Sequence, residues 1–404
     1  MRIGRSLPPA AAPLSAKDIF FGMIGACKGE SELKRFENEL INYFGMKHSF
    51  LVSSGKTALT TILLALKEIS PGRNEVLIPA FTCYSVPSAI IRAGLKVRLC
   101  DMAPGTFDFD YDQLSEIIST HRDHLLCILP VHLFGIPVDL ERIRKIIADD
   151  SVFIVEDAAQ AMGAEYKGKK LGTSGDVGFF SLGRGKALST VDGGVILTNR
   201  DDIARHLVKK VNAISGYGAS ELLALILYSF ALFVLSRPSL FWLPKALPFL
   251  RLGETIYDPH FKMRKMSSFQ AGLAREWKIK LQKFGKVRLK NTHELVIGLE
   301  RIGLKSSLTN QIPLPYLIRL PLRVESACQR EAILRLSERN GLGLARTYPD
   351  SVDRIPELIA DFASLHFPIA REYAEKLVTL PVHPHVKRKD RNNITDSLAQ
   401  AHQI

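Results

Sequence analysis

The sequence is short of several features that would fix its class at once. Its five cysteines, at positions 27, 83, 100, 127 and 328, are odd in number and scattered, with no C-x-x-C pair among them. That argues against a disulfide framework and against a metal site, and it suits a reducing compartment. A membrane-spanning helix needs about 20 consecutive apolar residues. The most apolar segment, "LLALILYSFALFVL" at 222–235, has fourteen residues without a charge, roughly 21 Å as a helix against a hydrocarbon layer of about 30 Å. The first twenty residues, "MRIGRSLPPAAAPLSAKDIF", have a Pro/Ala stretch where a signal peptide has its apolar core, so a cytoplasmic location is expected. Negative charge is scarce. Against 54 lysines and arginines stand 41 acids, leaving a net +13 that suits an anionic partner. With no zinc-finger spacing or other nucleic-acid motif, nucleic acid ranks behind a phosphorylated small molecule or an anionic membrane face.

What is present is a globular composition of 46% hydrophobic and 24% charged residues with no repeat, long enough at 404 residues for two domains. The segment "LVSSGKTALTT", 51–61, contains the Gly-Lys-Thr that ends a nucleotide-binding P-loop. The loop needs a glycine five places before Gly55, because the chain must curl there around phosphate. That place holds Phe50. What remains is an apolar run, small polar residues and a helix-period segment, which together describe a helix start. Free N–H groups and a positive dipole end make such a start a general phosphate seat, or else an ordinary serine-capped helix.

Between about 48 and 200, short apolar runs alternate with helical stretches: "SFLVS", "EVLIPA", "KVRLCDM", "LLCILPVHLF", "VFIVEDAA", "VGFFSL" and "GGVILTN". This rhythm predicts an α/β fold with a mostly parallel sheet between helices, whose ligand lies beyond the carboxyl ends of the strands. A single amphipathic helix is predicted over about 270–295, followed by a smaller α/β unit and a basic final segment that reads as a helix or a frayed tail.

Three strand ends carry reactive residues. "FIVEDAAQ" runs into Glu156 and Asp157, with small residues beyond that allow a flat ligand to approach. "FFSLGRGKALS" places Lys186 in a glycine-rich turn. The third is the Ser-Ser-Gly-Lys-Thr turn. Separately, each has a plain alternative: a surface acid, a solvated lysine, a capped helix. Together they fit pyridoxal 5'-phosphate (PLP), which needs a lysine for its aldehyde, an acid for its ring nitrogen and a helix start for its phosphate.

On these segments, together with "VLIPAFTCYSVPSAIIRAGLKVRLCDM", "VHLFGIPVDLERI" and "LVTLPVHPHV" in the same order, the chain resembles the DegT/StrS family of PLP-dependent sugar aminotransferases. The resemblance is firm over 30–200 and looser over 260–385. It implies the fold type I architecture, with a large PLP-binding domain over 1–265 built on a seven-stranded sheet and a small domain over 266–404. It also implies transfer of an amino group from glutamate or glutamine to a nucleotide-activated keto sugar, in a homodimer. A PLP enzyme on another keto substrate, or a non-catalytic PLP-binding regulator, is the alternative.

Carried over by position, Lys186 resembles the Schiff-base lysine and Asp157 the partner of the pyridine nitrogen. Gln160 matches the residue beside the ring's phenolic oxygen, Ser181 the phosphate-binding serine. Gly55, Lys56 and Thr57 stand where the family offers N–H groups and a hydroxyl to the phosphate. The family's dehydratases have histidine in place of the lysine, so Lys186 implies amino transfer. Two departures follow. Where the family has an aromatic residue stacking on the ring, this chain has Cys83, with Tyr84 next to it as the replacement unless the register differs by one. The segment that reaches a neighbouring subunit's cofactor is "KMRKM", 262–266, offering Arg264 or Lys265. Finally, residues 219–252 look inserted, and read as an extra helix pair packed on protein or as an apolar hairpin making a peripheral membrane contact.

Overall fold

The computed structural model describes residues 3–247, 255–304 and 316–402. Residues 248–252 of the 219–252 insertion and residues 305–315 lie outside the described residues. The strands, in chain order, are β1 (His48–Val52), β2 (Glu75–Pro79), β3 (Lys96–Cys100), β4 (Leu125–Ile128), β5 (Phe153–Asp157), β6 (Glu165–Tyr166), β7 (Lys169–Lys170), β8 (Val177–Ser181), β9 (Gly194–Thr198), β10 (Arg319–Arg323) and β11 (Leu377–Pro381).

Seven of them form one sheet in the order β1-β9-β8-β5-β4-β2-β3. They are the seven apolar runs picked out by the sequence. Five strands from β8 to β3 run parallel; helices cross over from β2 to β3, β3 to β4 and β4 to β5, while the small β6–β7 hairpin lies between β5 and β8. β9 alone is antiparallel to both neighbours, because the segment from β8 to β9 closes on itself instead of crossing over, with Leu182 N–H on the Gly193 carbonyl at 2.8 Å. β1 therefore points the same way as β8. The carboxyl ends of β1, β8, β5, β4 and β2 share one edge of the sheet.

Both faces are covered, and strand alternation assigns residues to each. In β5, Val155 joins the cluster under the helix Gly55–Ile69, with Ile62, Leu63 and Leu66. Its neighbour Ile154 joins the opposite cluster with Leu114, Ile118 and Ile143. By the same period of two, Asp157 faces the first side and Glu156 the second.

The stretch expected as one helix is two, Ser268–Leu273 and Trp277–Arg301. The break at 274–276 is imposed by tertiary contacts. Arg275 turns to pair with Glu32 at 2.7 Å, and Trp277 is buried with its indole N–H on Glu39 at 2.9 Å. An unbroken helix would point one of the two away. The second helix leads to β10, which pairs antiparallel with β11, and the final basic segment is the helix Arg388–His402.

The insertion opens with the helix Ala219–Leu235, of which Leu225 and Ser229 are buried. Leu225 packs with Leu14, Ile19, Phe269 and Leu273. Its outer side leaves Leu223, Leu227, Phe230 and Val234 exposed, Leu227 by 61%. Among the described residues no helix is long and apolar enough to cross a membrane.

Candidate active site

Ser54 caps the helix Gly55–Ile69, its Oγ accepting the Thr57 N–H at 3.1 Å. The cap leaves the N–H groups of Gly55 and Lys56 for an anion. Ser181, the last residue of β8, closes the other side. A Cβ on Gly55 would lie 2.9 Å from the Ser181 Cβ and 3.2 Å from its Oγ, so only glycine lets the helix start and the strand end approach this closely. The Thr57 hydroxyl is turned inward instead, fully buried and shared with the hydroxyls of Ser54 at 3.0 Å and Ser53 at 3.2 Å. The Lys56 ammonium leans over the Phe261 ring at 4.4 Å and reaches Asp258 at 3.9 Å.

The two acids at the end of β5 have separate duties. Glu156 is sealed from solvent and accepts four hydrogen bonds, from Gly172 N–H at 2.5 Å, Ser174 N–H at 2.7 Å, Gly175 N–H at 3.0 Å and the His132 ring at 2.8 Å. Val138 N–H donates to His132 Nδ1 at 3.1 Å, which leaves the ring proton on Nε2, facing Glu156. Burial works against the Glu156 charge, yet the His132 bond and the backbone N–H groups hold its carboxyl below the ordinary glutamate range. Asp157 on the other face has far less support. A single hydrogen bond reaches its carboxylate, from Ala159 N–H to Oδ1 at 2.9 Å. Burial therefore pushes its carboxyl up, opposed by the Ala159 bond and by the charge of Lys186. Such an acid, in an apolar site and short of donors, suits a ligand that brings an N–H.

Lys186 lies in the loop between β8 and β9, and the fold holds that loop tightly. Thr190 N–H bonds the Leu182 carbonyl at 2.9 Å and Gln270 Nε2 the Asp192 carbonyl at 2.7 Å. Val191 is held at φ +76°, a strained value for a β-branched residue. Arg288, from the helix Trp277–Arg301, donates to the carbonyls of Lys186 at 2.9 Å, Ala187 at 2.8 Å and Ala11 at 3.2 Å. The N-terminal arm thus lies against the lysine loop, and a Cβ on Gly185, at φ +112°, would lie 3.0 Å from that of Ala10. Burial pulls the Lys186 amine below the ordinary lysine range, opposed by Cys83 and Asp157 and assisted by Arg319.

Gln160 is buried and fixed at both ends. Phe134 N–H donates to its Oε1 at 3.1 Å, and its Nε2 donates to the Tyr348 hydroxyl at 3.0 Å. Phe134 has φ +61°, a conformation held by that bond and by Ile318 N–H on its carbonyl at 2.9 Å. Tyr348, Arg319 and Arg288 come from the C-terminal part of the chain, and no motif in the sequence marks them. Tyr84 and Cys83 part company at the start of their helix. The Tyr84 phenol is pushed up to about 12 by burial, with Asp350, Asp353 and Glu357 among its charged surroundings. Cys83 shares the electrostatic surroundings of Lys186, Tyr348 and Arg319. In the 262–266 segment, Arg264 is held bidentate by Glu221 at 3.0 Å, while the Lys265 N–H bonds the Ser215 carbonyl at 3.0 Å. The structure thus brings Gly55, Lys56, Asp157, Gln160, Ser181 and Lys186 to one edge of the sheet. It seals the Thr57 hydroxyl into the cap.

The family model described as the DegT/DnrJ/EryC1/StrS aminotransferase family matches residues 25–232 and 245–399. Among curated proteins, the GDP-perosamine synthase of Caulobacter vibrioides is 37% identical over 169 residues, 42% of this chain and 44% of that protein. A protein of Geobacillus stearothermophilus named pleiotropic regulatory protein is 35% identical over 43% of this chain and 45% of its own length. The matched region thus spans less than half of these relatives. Helicobacter pylori PseC, an aminotransferase involved in the biosynthesis of pseudoaminic acid, shares the fold at a TM-score of 0.78 over 99% of this chain and 100% of that one, with 15% identity.

Proposed function

The chain belongs to the DegT/DnrJ/EryC1/StrS aminotransferase family, and from that premise we propose that it is a PLP-dependent transaminase. It takes an amino group from glutamate or glutamine and passes it to a nucleotide-activated keto sugar, in the making of cell-surface or secreted glycans. One observation carries the reading. A buried, poorly solvated acid and a lysine of lowered basicity meet at the edge of the sheet where the helix start and Ser181 form an anion seat.

Lys186 would hold the cofactor's aldehyde carbon and Asp157 its ring nitrogen, with Gln160 beside the phenolic oxygen. The N–H groups of Gly55 and Lys56 and the Ser181 hydroxyl would take the phosphate. When bound, the cofactor supplies an electron sink for the carbon that carries the amine. Burial keeps a larger share of Lys186 neutral at pH 7, so its Nζ can take a proton from a substrate carbon and return it. Arg288 fixes the peptide on which that amine turns. The presence of lysine supports amino transfer over dehydration, and the likeness to a GDP-perosamine synthase supports a nucleotide sugar as acceptor.

Borohydride reduction of the purified protein followed by peptide mass mapping tests the reading. A pyridoxyl adduct on Lys186 supports it, and a protein that takes up no PLP ends it. The likeness to a protein named as a regulator favours a second reading, a PLP-binding protein without turnover. Loss of the visible PLP band on adding glutamate decides for the enzyme.

The proposal extends to assembly and place. We infer a homodimer divided at about residue 265 into large and small domains in each subunit. We also infer a peripheral contact of 219–252 with the inner face of the cytoplasmic membrane, supported by the uncovered side chains of Leu223, Leu227, Phe230 and Val234.

A further inference from the structure

We propose that the basic segment 387–389 and the uncovered side of the helix Ala219–Leu235 form one docking surface for a bilayer rich in anionic lipid, an inference that rests on the membrane contact of 219–252 inferred above. It adds to that contact a lipid class and an element from the other end of the chain. The helix side would meet the acyl chains and the segment the headgroups.

The apolar part is a stripe. Leu223, Leu227, Phe230 and Val234 are spaced by four, three and four residues, which keeps them on one face of the helix, and each is at least 40% exposed. The first charge after them is Arg237, just past the helix end, whose guanidinium lies over the Phe233 ring at 4.6 Å. An arginine laid along apolar surface with its charge outside suits the boundary between acyl chains and headgroups.

Two adjacent residues of the N-terminal arm fasten the basic part to the end of that stripe. Ser6 N–H donates to the Pro238 carbonyl at 2.8 Å, while Arg5 is bidentate to Asp390 at 3.1 and 2.6 Å and reaches the His385 carbonyl at 3.3 Å. Burial and the positive charges of both Arg5 and Arg237 hold the His385 ring below the ordinary histidine range. The end of the stripe and the basic segment are thus within electrostatic reach of one side chain.

Folding does not account for the three cations. Lys387, Arg388 and Lys389 are all exposed, and among the described residues no carboxylate is within ion-pair distance of their side chains. The acid beside them, Asp390, is taken by Arg5 and by the Lys387 N–H at 2.8 Å. They also stand at the start of the helix Arg388–His402, where the helix dipole opposes positive charge. Lys290 adds a further exposed cation, since its partner Glu294, at 3.9 Å, is also held by Arg391. Cations kept against the local field and without counter-ions suit an anion from outside the protein. The apolar stripe at their edge selects a lipid surface over nucleic acid, which would leave the stripe in water.

Sedimentation of the whole chain, supplied with PLP, with phosphatidylcholine vesicles that contain or lack phosphatidylserine, at low and at high salt, tests this. The wild type is compared with Lys387→Gln/Arg388→Gln/Lys389→Gln and with a charge-matched control, Lys96→Gln/Lys145→Gln/Lys209→Gln. The control lysines are exposed on β3 and on the helices Leu140–Ile147 and Asp201–Ala213. A basic residue near an anionic bilayer strengthens partitioning about fivefold, so the 387–389 variant should lose roughly 100-fold on phosphatidylserine vesicles. The control should lose less than about fivefold, because charges more than about 10 Å away are screened. Wild-type binding should be weak without phosphatidylserine and should fall steeply with salt, a readout that needs no variant. Melting temperature and the PLP band should be the same in all three proteins. Equal losses in the two variants overturn the inference, since net charge alone would then explain binding. So does wild-type binding that ignores phosphatidylserine and salt, an outcome that leaves the apolar contact of 219–252 standing. Wild-type protein that stays in the supernatant with every vesicle overturns both, and a single-stranded oligonucleotide bound by the wild type and released by the 387–389 variant would then assign the cations to nucleic acid.

Discussion

Replacing Glu156 by glutamine should cost the protein a large part of its stability, although the change alters one atom. In the native state Oε1 accepts from Gly172 N–H and the His132 ring, and Oε2 from Ser174 and Gly175 N–H. An amide has one oxygen. In either orientation its NH2 faces two donors, so two charge-assisted bonds vanish and two buried donors lose their partners. His132 offers no relief, since moving its proton to Nδ1 would confront the Val138 N–H that Nδ1 now accepts. At about 1.5–3 kcal/mol for each such bond, less whatever relaxation recovers, the expected loss is about 3–5 kcal/mol out of a typical 5–15. The sign of the pH dependence is fixed as well. The folded-state pKa of Glu156 is lowered from 4.5, so its contribution is complete above about 4.5 and is lost as pH falls through the lowered value. Urea unfolding at pH 7 should therefore show a much lower midpoint for Glu156→Gln, and the gap between the two proteins should narrow below pH 4.5. A difference under about 1 kcal/mol at pH 7, or a gap that does not change with pH, would refute the assignment of Glu156 as the carboxylate that organises the 172–175 turn.

Asp157→Asn should behave in the opposite way. Because burial raises the folded-state pKa of Asp157, its charge destabilises the empty protein above the ordinary aspartate range, so the melting temperature without cofactor should rise while PLP retention, read from the visible band, falls at least tenfold. Gly55→Ala introduces a methyl 2.9 Å from the Ser181 Cβ and should weaken PLP by about tenfold with the fold intact by circular dichroism; unchanged affinity would remove the phosphate from this seat. Lys56→Ala should weaken PLP retention only slightly, since its ammonium is engaged with Phe261 and Asp258, and a loss as complete as that of the Thr57/Ser181 double alanine variant would show that the side chain itself holds phosphate. Leu227→Glu with Phe230→Glu should leave the melting temperature unchanged, because both side chains are outside the core, and should abolish sedimentation with anionic vesicles; a change in oligomeric state instead would give this face to the partner subunit.

These contrasts also explain how much of the site can be seen in the sequence alone. Asp157, Ser181, Lys186 and the Gly55 turn each follow an apolar run, and in a parallel sheet the end of such a run is already a position in space. Local pattern therefore became three-dimensional placement without further information, and the seven strands were found for the same reason. Glu156 and Asp157 look alike as letters. Only the period of two, read against which neighbours lie on which face, separates the acid that holds the fold from the acid that faces the cleft. Arg319 and Tyr348 had no such signal. Tyr348 meets Gln160 across 188 residues of chain, and Arg319 is one of several arginines in a basic stretch. The break at 274–276 was hidden similarly, because the helical pattern continues through it and the contacts that interrupt it come from Glu32 and Glu39. Residues at strand ends thus sit on the continuous framework and can be read from local pattern. Tyr348 and Arg319 come from remote segments folded against it, and only the folded chain shows which neighbours they meet.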